Sequence, residues 1–257
     1  FNQADVEKLV SKYFAERENG KPVMVFRDVA ESQQKEEKAV EVRDAGFTSL
    51  LHIAYHTPSI KDKDLYTIAV IDSLLTGGRS SRLRRSMVET GITTSAAAWL
   101  DTGSEPGLYY LRFALKPGVT HQKAEEAFNR EVAKLISEEV SPRELQKAKN
   151  RRKAQFVSAG DGVTRQARNL GWYEGIYSYQ YVDTFAENIN SITPADVKSI
   201  AAKYFIKESR TIGRLYAKST GESRQAPDDD KSNPGDESYH YIPVKMLTGI
   251  EPVFTYG

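Results

Sequence analysis

Apolar and polar positions along this chain follow two periods, one of strands and one of helices. Phe47 to Thr57 alternates and is rich in β-formers, which predicts a strand. Between Asp62 and Leu75, Leu65, Ile68, Ala69, Ile71 and Leu75 predict a helix buried on most sides, and Gly77-Gly78 ends it. Ser80 to Glu89 reads as a short second helix. Thr93 to Leu100 and Leu108 to Lys116 read as paired strands. In the latter, Tyr109, Leu111, Phe113 and Leu115 share one face and Tyr110 and Arg112 the other. After the Pro117-Gly118 break, Thr120 can cap a helix to about Glu138, whose apolar stripe includes Ala124, Phe128 and Leu135. Ser141-Pro142-Arg143-Glu144 is a capping box with proline at the first helical position, opening a helix to about Ser158. Helices are also predicted over about 163–175, 179–189 and 193–205, the last again with a cap followed by proline, Thr193-Pro194.

This order predicts an α+β fold: a mixed or antiparallel sheet with helices packed on one face. Beyond it, residues 218–238 turn polar, with Asp228-Asp229-Asp230 and Pro234-Gly235, and read as a linker. Residues 239–257 are an apolar C-terminal arm. Pro243 and Pro252 argue against a continuous helix there, so an extended, docked arm is expected.

One repeat reorganises the picture. Ala4-Asp5-Val6 and Lys12-Tyr13-Phe14 recur 191 positions later as Ala195-Asp196-Val197 and Lys203-Tyr204-Phe205, with Leu9 matched by Ile200. Each copy is a helix followed by an extended apolar segment, Val23 to Phe26 and Thr211 to Tyr216. The expected organisation is therefore a tail of a preceding homologous domain over residues 1–26 and a complete domain over 27–217. The chain would be the back half of a larger protein.

Composition removes several function classes. Lys and Arg number 36 against 35 Asp and Glu, so no net field favours nucleic acid or an anionic membrane surface. There is no cysteine, which excludes disulfides, thiol catalysis and thiolate zinc sites. The longest run without Asp, Glu, Lys or Arg, residues 45–60, is too short and too polar to span a bilayer. Residue 1 is Phe, so no targeting signal can be read and periplasm, cytoplasm and organelle all stay open.

Candidate chemistry is sparse. His52 and His56 share a strand face, but four residues at roughly 3.3 Å each set them about 13 Å apart. One zinc, with bonds of about 2.0–2.1 Å, cannot bridge that gap. His121 has no second histidine one turn on and reads as a first-turn polar residue. The glycine turn at Gly77-Gly78 follows a helix rather than a strand, which argues against a nucleotide loop. The basic run Lys147 to Lys153 reads as a solvated helix face.

Three stretches together resemble the C-terminal half of pitrilysin/insulinase-type (M16) zinc metallopeptidases, relatives of the mitochondrial processing peptidase. They are Asp72-Ser73-Leu74-Leu75-Thr76-Gly77-Gly78-Arg79-Ser80-Ser81-Arg82-Leu83, Ser141-Pro142-Arg143-Glu144-Leu145, and Thr193-Pro194-Ala195-Asp196-Val197 with Lys203-Tyr204-Phe205. The resemblance covers about residues 1–217 and implies a processing-peptidase type of α+β fold. It implies a non-catalytic half that forms the chamber wall opposite a zinc-bearing domain and helps hold peptide substrates. The alternative is a catalytically dead structural or assembly subunit of the same fold, like the respiratory-complex core proteins.

The family's His-x-x-Glu-His motif is absent here, so no catalytic or metal residue is assigned. Zinc is expected only in an N-terminal half or a partner subunit. The family's second domain often lends an Arg and a Tyr seven residues apart to the partner's active site; anchored on Gly91, those positions fall on Met87 and Thr94. The substrate-chamber candidates are therefore Arg84, Arg85, Met87, Thr94 and Tyr110. The implied partners are the zinc-bearing domain or subunit, a peptide substrate, and a homo- or heterodimer mate, with no nucleic acid and no membrane insertion.

Overall fold

The computed structural model describes residues 2–16, 34–45 and 48–218. The predicted extended segment at Val23 to Phe26, most of the polar linker and the C-terminal arm lie outside the described residues. In chain order the elements are α1 (Gln3–Phe14), β1 (Lys38–Ala45), β2 (Leu50–Thr57), α2 (Asp64–Thr76), a π-helical turn (Arg84–Val88), β3 (Thr93–Leu100) and β4 (Gly107–Leu115). They continue with α3 (His121–Ser137), α4 (Pro142–Ala159), α5 (Val163–Ile176), α6 (Gln180–Ser191), α7 (Pro194–Tyr204), a 3-10 turn (Lys207–Ser209) and β5 (Arg210–Lys218).

The strands form one sheet in the order β1-β5-β2-β4-β3. β1 runs parallel to β5, and the other pairings are antiparallel, so the sheet is mixed as expected. Its helix-facing side carries Leu51, Ile53, Tyr55, Tyr109, Leu111, Phe113, Leu115 and Ile212, all buried. Against them pack α2, α3 and α7; α4 and α6 cover α2, and α5 lies on α6. Enclosure between sheet and outer helices explains the apolar sequence of α2, which is buried without a break from Leu65 to Ile71. Ser73, also buried on α2, donates its hydroxyl to the carbonyl of Ala148 on α4 at 3.2 Å.

The helix ends follow the sequence signals, with one difference. Thr193 and Asp196 form a complete capping box on α7. On α4 the Ser141 hydroxyl accepts from the Glu144 amide, but the Glu144 carboxylate turns away and takes two 2.8 Å hydrogen bonds from Arg82. A charged bidentate partner is a stronger draw than a backbone amide.

Two sequence readings are refined and one is corrected. The short helix expected over Ser80 to Glu89 is present over residues 82–88, and its C-terminal part is a π turn, closed by Glu89 N–H to Arg84 O at 2.9 Å. His121 stands in the first turn of α3, as read, and is buried there; its Nε2 lies 3.1 Å from the carbonyls of both Leu50 and Leu215, where β2 and β5 pair. The basic run on α4 is partly structural. Lys149 is buried and donates to the Asn190 carbonyl at 2.8 Å, while Lys153 donates to the Asn190 side chain at 2.7 Å. Both lysines tie α4 to the end of α6.

Candidate functional site

Because successive side chains on a strand point to opposite faces, strand register fixes what stands on the side away from the helices. His52 pairs with Arg112 and Ala54 with Tyr110; Ala97 pairs with Arg112 and Trp99 with Tyr110; Gly213 pairs with His52. Those residues share the open face with Leu50, His56, Leu108, Ala114, Ser95, Thr211 and Leu215, and β1 extends it with Val40 and Val42. Trp99 is 51% and Tyr110 37% exposed. The floor between them is made of small residues, Ala54, Ala97, Ala114 and Gly213.

Arg112 is the one charged side chain on the open face of β2, β3, β4 and β5, and no carboxylate pairs with it among the described residues. Partial burial, and then the Arg112 charge, push the His52 imidazole below its usual value, so it is neutral at pH 7. The Tyr110 phenol is pushed up, first by desolvation and then by Asp101. The face thus presents aromatic rings, one uncharged imidazole and one free guanidinium above a shallow floor. It can stack, accept and donate hydrogen bonds, and attract an anion. It holds no nucleophile–base pair.

The five sequence candidates occupy four different places. Met87 is 0% exposed and belongs to the core, a correction to its reading as a chamber residue: the π turn points it inward. Arg84 and Thr94 do come together. They line a cleft of about 250 Å³ beside edge strand β3, with Gly78, Arg79, Ser81 and Ser95. Arg84 makes a long ion pair to Glu89 at 3.9 Å, and Thr94 donates its hydroxyl to the Ala114 carbonyl at 3.3 Å. Arg85 is exposed on the π turn, where its charge adds to that of Arg82 in holding Glu144 below the usual carboxylate range. Tyr110 stands on the open face. Sequence reasoning left out Trp99, although its alternation with Ala97 and Ser95 was readable. His52 and Arg112 were placed on strand faces, but their meeting across strands was not.

No group of three or more His, Asp or Glu side chains among the described residues could hold a metal ion. His52 and His56 lie along one strand with no third ligand beside them, so the residues present do not fit a zinc site. No helix among the described residues is long and apolar enough to cross a membrane.

Comparison with known proteins places this geometry. The sequence profile of the peptidase M16 inactive domain matches residues 1–152. No curated protein matches the chain. Among solved structures, a protease from Helicobacter pylori superposes with a TM-score of 0.76 at 20% identity, over 84% of this chain and 53% of that one. The inactive peptidase domain of a protein from Bordetella parapertussis, assigned there as a zinc protease, superposes at 0.62 and 22% identity, over 72% of this chain and 98% of that one. A peptidase M16 inactive domain from Pseudomonas fluorescens superposes at 0.64 and 16% identity, over 85% of this chain and 52% of that one. The chain therefore spans about half the length of the first and third of these and nearly all of the second. The mixed sheet with helices on one face is their common fold, and with the profile match over more than half its length this chain belongs to the peptidase M16 inactive-domain family.

Proposed function

We propose that this domain is the non-catalytic half of a zinc metallopeptidase, and that its open sheet face is a wall of the chamber in which peptides meet the zinc-bearing half. The observation that carries this reading is the open face itself. Across β2, β3, β4 and β5 it carries one charged side chain, Arg112, with Lys38 and Asp44 added at the ends of β1, and it is set with aromatic side chains over a floor of small residues. An unfolded peptide offers mixed side chains and backbone groups rather than one shape. Trp99 and Tyr110 supply apolar area to such a ligand, and their polar edges can still find partners. Zinc, and the water it activates, belong to the partner domain or subunit; the role left here is to hold and orient the peptide. Pairing with that partner, as a homo- or heterodimer, is part of the proposal.

A second reading is a structural or assembly subunit that keeps the fold without the chemistry. It is favoured by Met87 lying in the core and by the Thr94 hydroxyl being engaged, at the two positions where the resemblance calls for Arg and Tyr. One experiment separates the two. In a Trp172→Phe background, Trp99 is the sole tryptophan, and its emission reports the open face. Titration with an unstructured peptide should shift that emission saturably, and Arg112→Glu should weaken binding of acidic peptides several-fold. Added to its zinc-bearing partner, the chain should raise peptide cleavage while cleaving nothing alone. No spectral change up to millimolar peptide, together with no effect on the partner, would leave the scaffold reading standing. Cleavage by the chain alone would refute both.

A further inference from the structure

The two edges of the sheet differ in how they are guarded. β1 ends the sheet on one side and β3 on the other. β1 is charged at Lys38, Glu41, Arg43 and Asp44, whereas β3, from Thr93 to Leu100, holds neither a charge nor a proline. Charges, prolines and bulges are the means by which an edge strand resists pairing with another chain. The one such device on β3 is a register shift between Thr93 and Ser95, and residues 96–100 beyond it pair regularly with β4.

The ladder decides which backbone groups stand open. Asp101 N–H donates to Leu108 O at 3.0 Å, and on the other side of β4 Leu115 N–H donates to Ser49 O at 2.9 Å. Hydrogen-bonded and non-hydrogen-bonded pairs alternate along an antiparallel ladder. Ser95, Ala97 and Trp99 therefore bond to β4, while Ala96, Ala98 and Leu100 turn their N–H and C=O groups outward. Among the described residues nothing bonds to those outward groups.

At one end of this edge lies the cleft of about 250 Å³, which Ala96 lines together with Arg79, Ser81 and Arg84. Arg79 is exposed and has no ion pair among the described residues, and Arg84 has only its long contact to Glu89. Ser81 is 5% exposed, and its hydroxyl has no hydrogen-bond partner. Buried hydroxyls are normally satisfied, so this one marks a place for a polar ligand atom. Two guanidiniums and a spare hydroxyl around one cleft suit a carboxylate.

We propose that β3 is a docking edge for an extended, carboxylate-bearing peptide, which adds to the sheet as a further strand. The peptide backbone bonds to Ala96, Ala98 and Leu100, the usual manner of strand addition. Ala96 packs toward the helix side of the sheet, so a peptide side chain opposite it points the same way and brings its carboxylate between Arg79 and Arg84. Charge complementarity selects such a peptide over a basic one. This inference concerns the strand edge and does not rest on the chamber reading, which concerns the open face.

The probe is an end-blocked octapeptide of alternating threonine and valine with one central glutamate, added to the whole chain. At saturation the amides of Ala96, Ala98 and Leu100 should exchange more slowly by about tenfold or more. Methylating the peptide amides that face β3 should abolish binding. The matched glutamine peptide should bind more weakly by about fivefold or more, and Arg79→Gln with Arg84→Gln should erase that difference. Ala98→Pro should prevent binding while the domain still folds, because that N–H points away from β4; the methylated peptide tests the same bonding in the unaltered chain. A glutamine peptide with a free C-terminus that binds as well as the glutamate peptide would identify a terminal carboxylate as the group held. Unchanged exchange at Ala96, Ala98 and Leu100 in saturating peptide, or equal affinity for the blocked glutamate and glutamine peptides, would overturn the proposal. So would edge protection in the peptide-free chain that grows with protein concentration, which would make a second copy of this chain the occupant. A shift of Trp99 emission without edge protection would overturn it too and leave the chamber reading intact.

Discussion

Removing the charge of Glu144 tests how the cleft beside β3 is held. The Arg82 guanidinium gives Nε–H and Nη2–H to the two Glu144 oxygens at 2.8 Å each, and the two side chains are 13% and 28% exposed. The pair ties the approach to the π turn, and so Arg84 and Met87, to the first turn of α4. Glu144→Gln keeps the shape and one acceptor but loses the charge, leaving part of a half-buried guanidinium unmatched. A hydrogen bond to a charged group contributes about 1.5–3 kcal/mol, so a loss of about 2 kcal/mol is expected. In a domain of this size that lowers Tm by about 4–8 °C. The Arg82 hydrogen bonds and charge hold the Glu144 carboxyl below its ordinary value of 4.5. A depressed carboxyl contributes stability that is present above its unfolded pKa and lost as pH falls through its folded one. The gap between wild type and Glu144→Gln should therefore be full at pH 7 and shrink progressively below pH 4.5. Urea unfolding of Arg82→Met, Glu144→Gln and the double variant between pH 7 and 3.5 measures this. A coupling below about 0.5 kcal/mol at pH 7 would refute the reasoning, since residues in contact usually couple above that. So would a gap that does not change with pH.

Met87→Arg, which reinstates the charge the resemblance calls for, should destabilise the domain by at least about 3 kcal/mol because it buries an unpaired cation, whereas Thr94→Tyr at an exposed strand position should change stability by less than about 1 kcal/mol. Neither alone nor together should they raise cleavage by a mixture with the zinc-bearing partner above the level reached with the wild-type chain, as a cleavage assay would show. At the end of α2, Gly77→Ala should cost more than Gly78→Ala in thermal melts. A Cβ at Gly77 would sit 2.1 Å from the Ser73 carbonyl oxygen, which is backbone, while at Gly78 it meets only the mobile end of Arg151. The Gly78 change still carries the penalty of its φ of 89°, about 1–2 kcal/mol.

What was legible in the sequence was local. The period of α3, the caps of α4 and α7 and the alternation of β4 each depend on residues within a turn or two, so they were readable without the fold. The histidine spacing along β2 excluded a shared zinc on strand geometry alone, and the repeat linking α1 to α7 was visible as identity. Tertiary structure decided what depends on residues far apart in the chain. β1 was not predicted although Val40 and Val42 alternate with Glu41 and Arg43; its partner, β5, lies far along the chain, with Lys38 paired to Thr211. Arg214 and Tyr216 of that strand stand beside Glu41 and Arg43. Met87 read as a possible chamber residue because sequence fixes its distance from Gly91 but not the π turn that points it inward. That the first-turn residue His121 is buried could not be read locally, because the carbonyls of Leu50 and Leu215 beside it come from two strands. The open face exists only through cross-strand register, which brings His52, Arg112, Trp99 and Tyr110 together from three strands. Pairing over such separations is set by burial of the whole sheet against its helices, and no local window of sequence contains it.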